Sequence, residues 1–100
     1  MAVTYNNIAS VHIKQRSFRV AVQFYEKARL IMEENLPQDH KDLGLAYNNI
    51  GLAYYYLEQN SLALSFFKKA LEIYRKSLPD NHERVEEHQL NINRLQVEIN

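Results

Sequence analysis

The side chains with the clearest chemical signature in this sequence are asparagines that recur 42 residues apart. Asn6 and Asn7 return as Asn48 and Asn49, and Asn91 follows Asn49 by the same interval. A side-chain amide both donates and accepts hydrogen bonds, so a row of amides can bind the backbone of an extended peptide whatever its side chains are. An asparagine in a helix can also bond a neighbouring carbonyl or hold two repeats together. The sequence leaves both interpretations open.

Residues that could catalyse a reaction or bind a metal form no recognised motif. His82 and His88 flank three glutamates, but they are six residues apart and face different sides of a helix, whereas metalloprotease histidines are four apart. The sequence has no cysteine, no glycine-rich phosphate loop and no recognised set of serine, histidine and acid. We therefore expect no catalytic residues, no metal and no cofactor.

Charge and hydropathy do not favour a nucleic-acid or membrane partner. The 100 residues contain 12 Lys and Arg and 12 Asp and Glu, so no net charge attracts phosphates or anionic lipids. No apolar run approaches the roughly 20 residues that cross a bilayer. We expect a cytoplasmic protein. Helical repeats that read RNA bases are a weaker alternative, because the neutral charge supplies no phosphate-binding stripe.

The elements that must position the asparagines follow the same period. Leu36-Pro37 followed by His40 recurs as Leu78-Pro79 followed by His82. A period between about 20 and 50 residues indicates a stacked repeat protein, in which each unit buries its apolar face against its neighbours.

Apolar spacings of three and four residues predict five helices. We expect them at 2–15, 18–34, 41–57, 61–77 and 82–99. Pro37 and Pro79 should end the second and fourth helices, since proline inside a helix removes a hydrogen bond. Side chains able to cap the following helices are Ser17, Asp39, Asn60 and Asn81.

The second unit resembles the tetratricopeptide repeat, which is usually about 34 residues long. The positions that carry its pattern of aromatic, large aliphatic and small residues are Tyr47, Ile50, Gly51, Tyr54, Ala63, Phe67 and Ala70. The first unit matches with Tyr5, Ile8, Ala9, Ala21, Tyr25 and Ala28, and departs where His12 replaces the second aromatic. The 42-residue length and the paired asparagines are similar to the kinesin light chain variety of this family.

The resemblance implies an all-α fold, a right-handed α-solenoid of antiparallel helix hairpins. We expect one domain built from repeat one (1–42), repeat two (43–82) and a polar capping helix (83–100). Because Met1 occupies the position of Leu43 inside a helix, we also expect that the array was cut from a longer protein or begins abruptly.

In this family the first helices of successive units line a concave groove, so the resemblance places a binding site there. The candidate groove residues are Asn6, Asn7, Asn48, Asn49, Leu52, Tyr55, Tyr56, Asn91 and Arg94. Leu52, Tyr55 and Tyr56 would supply specificity through apolar surface. Some relatives clamp a terminal carboxylate with two lysines, an arginine and two asparagines, but only Asn49 matches that set here.

The leading functional hypothesis is a noncatalytic protein interaction module that binds an extended peptide or a partner helix in the groove. The alternative is a structural segment that stacks on other repeats or on copies of itself, because exposed solenoid ends carry apolar surface.

Overall fold

The chain folds as five consecutive helices without a strand in the part that the structure describes. A computed structural model describes residues 2–77 and 83–99. The helices are α1 (Ala2–Lys14), α2 (Phe18–Asn35), α3 (Lys41–Tyr56), α4 (Asn60–Ser77) and α5 (Glu83–Ile99). Each packs against the next along the chain. The predicted right-handed solenoid of antiparallel hairpins is confirmed, and every predicted helix end lies within one residue of its observed position.

Small residues allow the helices of each hairpin to approach closely. Ala9 and Ala21, in the first hairpin, are fully buried and form one cluster with Tyr25 and with Ile50 and Ala53 of α3. A second cluster joins α3, α4 and α5 and reaches Ile92 and Leu95. The core is therefore continuous from one repeat to the next, as stacking requires.

The turn inside each hairpin has the same geometry in both repeats. Arg16 and Glu58, which are 42 residues apart, both have φ of 63°, a left-handed conformation that favours glycine. The N–H of Ser17 donates to the carbonyl of His12 (2.8 Å), and that of Gln59 donates to the carbonyl of Tyr54 (3.0 Å). This pattern is a Schellman motif, which satisfies the last carbonyls of a helix.

The joint between the repeats differs from the prediction in its capping residue. α2 ends at Asn35, and its C-cap residue Leu36 is extended before Pro37, as proline requires. The N-cap of α3 is His40, whose Nδ1 accepts from the backbone N–H of Asp42 (3.0 Å). The prediction that Asp39 caps α3 was wrong, because His40 directly precedes the helix and has the extended backbone of an N-cap.

The two caps predicted inside the hairpins were also wrong. Ser17 occupies the N-cap position of α2 but makes no capping bond with its side chain. Asn60 is the first residue of α4, and the carbonyl of Gln59 accepts from Ala63 instead. Asn81 and Pro79 lie outside the described residues.

Helix α5 continues the stack on α4. Arg75 donates to Gln89 Oε1 at 2.6 Å, and Gln89 donates to Asn93. Leu90 and Val97 are exposed. The description of this helix as a cap, like the domain boundaries, stays a prediction, and the side chains of His82, Glu83 and His88 lie outside the described set.

Candidate functional site

Helix α3 exposes a stripe of large apolar side chains. These residues, here called the α3 stripe, are Leu45, Leu52, Tyr55 and Tyr56, and they are between 36% and 49% exposed. They lie on one side of the helix because its other sides pack against α2 and α4. Large apolar side chains exposed together on one side of a helix are typical of an interaction site.

A cavity of about 360 Å³ lies between α1 and α3, on one side of the stripe. The end of α2 forms its floor through Ile31, Met32 and Leu36. Asn6 and Asn49 line it. We call this space the α1/α3 cavity.

Asn6 is a half-buried polar residue of the α1/α3 cavity. Its Nδ2 lies 4.0 Å from the Sδ of Met32, whereas its Oδ1 is buried and has no hydrogen-bond partner within the described residues. A buried acceptor without a donor is costly.

A smaller cavity of about 110 Å³ lies on the opposite side of the stripe, between α3 and α5. Leu52 and Tyr55 form one wall, Phe67 of α4 forms part of the lining, and Asn91, Arg94 and Leu95 complete it. This α3/α5 cavity therefore combines apolar surface with an amide and a guanidinium.

Six of the nine predicted groove residues line these two cavities. They are Asn6, Asn49, Leu52, Tyr55, Asn91 and Arg94. Asn7 is exposed and Asn48 is half-buried, and neither lines a cavity. The ring of Tyr56 stacks on Phe18 with 4.8 Å between centroids, so one face of it is covered by the start of α2.

Sequence reasoning missed several lining residues of these cavities, and Phe67 and Leu45 are two of them. Phe67 fits the repeat pattern and was assigned to packing alone, yet it lines the α3/α5 cavity. Leu45 lies four residues before Asn49 on the same helical face and lines the α1/α3 cavity. The three- and four-residue spacing of Leu45, Asn49 and Leu52 was the signal that could have found it.

Comparisons with known proteins agree with this architecture. Residues 1–76 match the family model of the tetratricopeptide repeat. The chain belongs to the tetratricopeptide repeat family. Proteins of this family are generally interaction modules and noncatalytic scaffolds.

Solved structures share the fold of this repeat protein. BtubC (BKLC) from P. vanneervenii has a TM-score of 0.88 at 22% identity and covers 97% of the chain. A protein from Podosopora anserina, described as a kinesin light chain with nearly identical TPR-like repeats, has a TM-score of 0.79 at 18% identity and covers 92%. The chain spans 38% and 44% of the lengths of these two proteins.

A third structure is the N-terminal domain of stress-induced protein-1 (STI-1) from C. elegans. Its TM-score is 0.67 at 29% identity, over 89% of this chain and 68% of that one. No curated protein matches the chain. The long repeat of this chain thus has the fold of kinesin light chain repeats, as its length and paired asparagines indicate.

The two tetratricopeptide repeats are joined by a polar cluster on the side of the molecule where α2 meets α3. Tyr47 of α3 donates to Glu33 of α2 at 2.7 Å. Arg29 pairs with Glu33 at 3.2 Å and also contacts Glu26. Burial, with the hydrogen bond to Glu33 and its charge, raises the pKa of the Tyr47 hydroxyl to about 12. We call these four residues the α2–α3 polar cluster.

Two further observations concern membrane and metal. No helix in the described ranges is both long and apolar enough to cross a bilayer. Among the described side chains, no three His, Cys, Asp or Glu residues lie close enough together to hold a metal ion.

Proposed function

We propose that this chain is a noncatalytic module that binds an extended segment of a partner protein across the concave surface of α1, α3 and α5. The observation that carries the proposal is the α3 stripe, which lies between two cavities that both contain asparagine side chains. The stripe and the two cavities together are called the groove below. A cytoplasmic location without nucleic-acid or membrane partners belongs to the same proposal.

The asparagines of the groove match the needs of a peptide backbone. Asn6 has a buried oxygen that lacks a donor, and Asn49 lines the same cavity. A peptide laid across α3 would bring N–H and C=O groups to both amides, and Asn91 would repeat the contact in the α3/α5 cavity. Such contacts hold the backbone and leave the choice of side chains to other residues.

The α3/α5 cavity would select among the side chains of the partner. Its volume of about 110 Å³ and its lining by Leu52, Tyr55 and Phe67 suit one apolar side chain of the partner. Burying such a side chain contributes about 1.5–3 kcal/mol. Arg94 at the same site favours a neighbouring acceptor or negative charge in the ligand.

The first experiment identifies a partner with immobilised chain and then measures the affinity of its purified binding segment. The double variant Asn49→Ala, Tyr55→Ala should weaken binding by about 2–4 kcal/mol, because it removes an amide and an aromatic contact. Its melting temperature should change little, since both side chains are at least partly exposed.

Leu62→Ala is the matched control, because Leu62 is an equally exposed apolar residue on α4, away from the groove. It should leave the affinity unchanged. If Leu62→Ala weakens the complex as much as the double variant does, the partner binds elsewhere. If the double variant unfolds, the two side chains serve packing.

The alternative function is self-association through the solenoid ends. It is favoured by exposed apolar residues on the two terminal helices, Val11 on α1 and Val97 on α5. Sedimentation velocity over a wide concentration range tests it. A strict monomer at the highest concentration would exclude self-association.

A further inference from the structure

Positive charge is concentrated at the turn of the first hairpin. Residues 1–25 contain Lys14, Arg16 and Arg19 but no aspartate or glutamate. All three cations are exposed, and they lie where α1 ends and α2 begins. The neutral total of the chain therefore conceals a local excess of positive charge at this turn.

A cavity of about 290 Å³ opens at the same turn. The side chains that line it come from both repeats, and they are Arg16, Ser17, Phe18, Arg19, Val20 and Leu57. Leu57 directly follows α3, so the cavity lies between the turns of two neighbouring repeats. We call it the turn cavity. Because repeats one and two form both of its walls, the turn cavity is internal to the stack.

An aromatic stack holds one of the two arginines in place. The guanidinium of Arg16 lies 5.6 Å from the centroid of the Phe18 ring, and that ring stacks on Tyr56 with 4.8 Å between centroids. The negative face of an aromatic ring attracts a cation. A guanidinium that is held in this way loses less side-chain entropy when it binds a ligand. Arg16 is therefore positioned for recognition although it is exposed.

Neither arginine of the turn cavity has an anionic partner among the described residues. The ion pairs in that part of the chain lie elsewhere, in the α2–α3 polar cluster and at His40. Glu58 directly follows Leu57 but pairs with neither arginine. The side chain of Ser17 makes no capping bond. The turn cavity thus offers two guanidinium groups and a hydroxyl to a ligand.

The cations do not continue along the stack. The residues equivalent to Arg16 and Arg19 in the second repeat are Glu58 and Ser61. A nucleic-acid strand requires a continuous track of cations, which this chain lacks at its turns. A flat anionic membrane would meet Glu58, which is exposed, and each cation attracts such a surface by only about 1 kcal/mol. The turn cavity therefore suits one compact anion.

A phosphate monoester fits this site better than a carboxylate does. At neutral pH a phosphorylated serine or threonine carries nearly two negative charges and three acceptor oxygens, whereas a carboxylate carries one charge. The planar fork of an arginine donates parallel hydrogen bonds to phosphate oxygens. Arg16, Arg19 and the Ser17 hydroxyl supply donors for all three oxygens, and Lys14 adds positive charge nearby.

We propose that the turn cavity binds a phosphorylated serine or threonine of a partner protein. Arg16 and Arg19 donate to the phosphate oxygens, and Ser17 supplies a further donor. The site lies at the hairpin turns and takes an anionic side chain, whereas the groove takes peptide backbone and one apolar side chain. The proposal does not depend on ligand binding in the groove.

The experiment uses the full chain and, as the probe, a short and otherwise uncharged alanine peptide with one central phosphoserine. Titration followed by NMR should shift the backbone signals of Arg16, Ser17 and Arg19 to saturation. The same peptide with unmodified serine should shift none of them. A peptide with glutamate in place of phosphoserine should bind at least about tenfold more weakly, because it carries less charge and fewer acceptor oxygens. Equal affinity of the glutamate peptide, or no saturable shift with the phosphoserine peptide, would overturn the proposal.

A pair of chain variants locates the site. Arg19→Gln should weaken binding of the phosphoserine peptide at least about tenfold, with an unchanged melting temperature because Arg19 is exposed. Lys68→Gln is the matched control, since Lys68 is also exposed on a helix and the same charge is lost. It should leave the affinity unchanged. Arg19→Lys keeps the charge without the fork and should cost less affinity than Arg19→Gln. Equal effects of Arg19→Gln and Lys68→Gln would mean general charge attraction and would overturn the proposal.

Sedimentation with lipid vesicles tests a membrane surface as the other source of phosphate. Vesicles of phosphatidylcholine with phosphatidylserine should bring down no more of the chain than vesicles of phosphatidylcholine alone. Cosedimentation with the anionic vesicles that Arg19→Gln abolishes would assign the turn cavity to lipid and would overturn the proposal.

Discussion

The substitution Gly51→Ala tests how closely the two helices of the second hairpin must approach. A Cβ atom at Gly51 would lie 2.8 Å from both Cδ1 and Cε1 of Phe67 and 3.2 Å from the carbonyl oxygen of Ala63. The Phe67 ring is buried in the second core cluster. A methyl group at this position therefore requires the ring or the helix to move.

Two opposing terms set the sign of the effect. Alanine is favoured over glycine inside a helix by about 1 kcal/mol, whereas overpacking a dense core costs about 1–3 kcal/mol. Contact with two ring atoms at 2.8 Å, plus backbone at 3.2 Å, places this site at the upper end of that range. We expect a net destabilisation of about 1–2 kcal/mol.

Gly44→Ala on the same helix is the matched control. Its added Cβ would lie 3.2 Å from Ile73 Cγ2 and Tyr74 Cε1, contacts that small side-chain shifts can relieve. The helix propensity gain is the same, so the unfolding free energy should change by less than about 0.5 kcal/mol.

Urea unfolding followed by circular dichroism measures both variants. A loss of 1 kcal/mol corresponds to roughly 4–8 °C in melting temperature for a domain of this size. The first repeat carries Ala9 at the position of Gly51 and Tyr25 at that of Phe67, so the fold has an arrangement that accepts alanine. If the Gly51→Ala protein is as stable as the wild type, the second hairpin can adopt the helix packing of the first hairpin, and the steric argument is wrong.

Two further substitutions test the hairpin turn and the α2–α3 polar cluster. Glu58→Gly should stabilise the chain by about 0.5–1 kcal/mol, because it relieves a left-handed φ of 63° at the cost of greater chain entropy in the unfolded state; thermal unfolding measures it. Tyr47→Phe should flatten the loss of stability above pH 10. The unfolded tyrosine ionises near 10 and the folded one near 12, so the tyrosine contributes fully below pH 10 and loses its contribution as the pH rises to 12. Urea unfolding at a series of pH values measures this slope.

Each of these substitutions has its own contrary outcome, and Glu58→Gly also has a matched control. Glu58→Ala keeps the left-handed conformation and removes the charge, so a gain equal to that of Glu58→Gly would assign the effect to charge. If Tyr47→Phe leaves the slope of stability against pH unchanged, burial and Glu33 do not raise the pKa of the Tyr47 hydroxyl. A residual slope is expected from Tyr25 and Tyr54, because burial raises the pKa of both.

Much of the fold was predictable because it depends on short-range patterns. Apolar spacing placed each helix end within one residue, and Pro37 marked the end of α2 because the residue before proline avoids the helical conformation. The capping residues were less predictable. His40 and Asp39 are neighbours, and the backbone of His40 (φ −65°, ψ 134°) decides which side chain reaches the first free amides.

The candidate site was predictable in part. The 42-residue period makes Asn7, Asn49 and Asn91 equivalent positions on successive first helices, and two of these three, Asn49 and Asn91, line the cavities. The same period did not distinguish Asn7, which is exposed away from both. The width of a cavity depends on the distance between helices that contact each other little, and no residue spacing encodes that distance.

By itself, the sequence determined the repeat, its helices and the family, because these follow from patterns within a few turns of chain and from their recurrence. Only the tertiary structure decided which asparagine oxygen is left without a donor, that Glu33 receives the hydroxyl of Tyr47, and that the equivalent Tyr5 meets no such carboxylate among the described residues. These outcomes depend on how the helices of one repeat pack on those of the next, and that packing forms only in the folded stack.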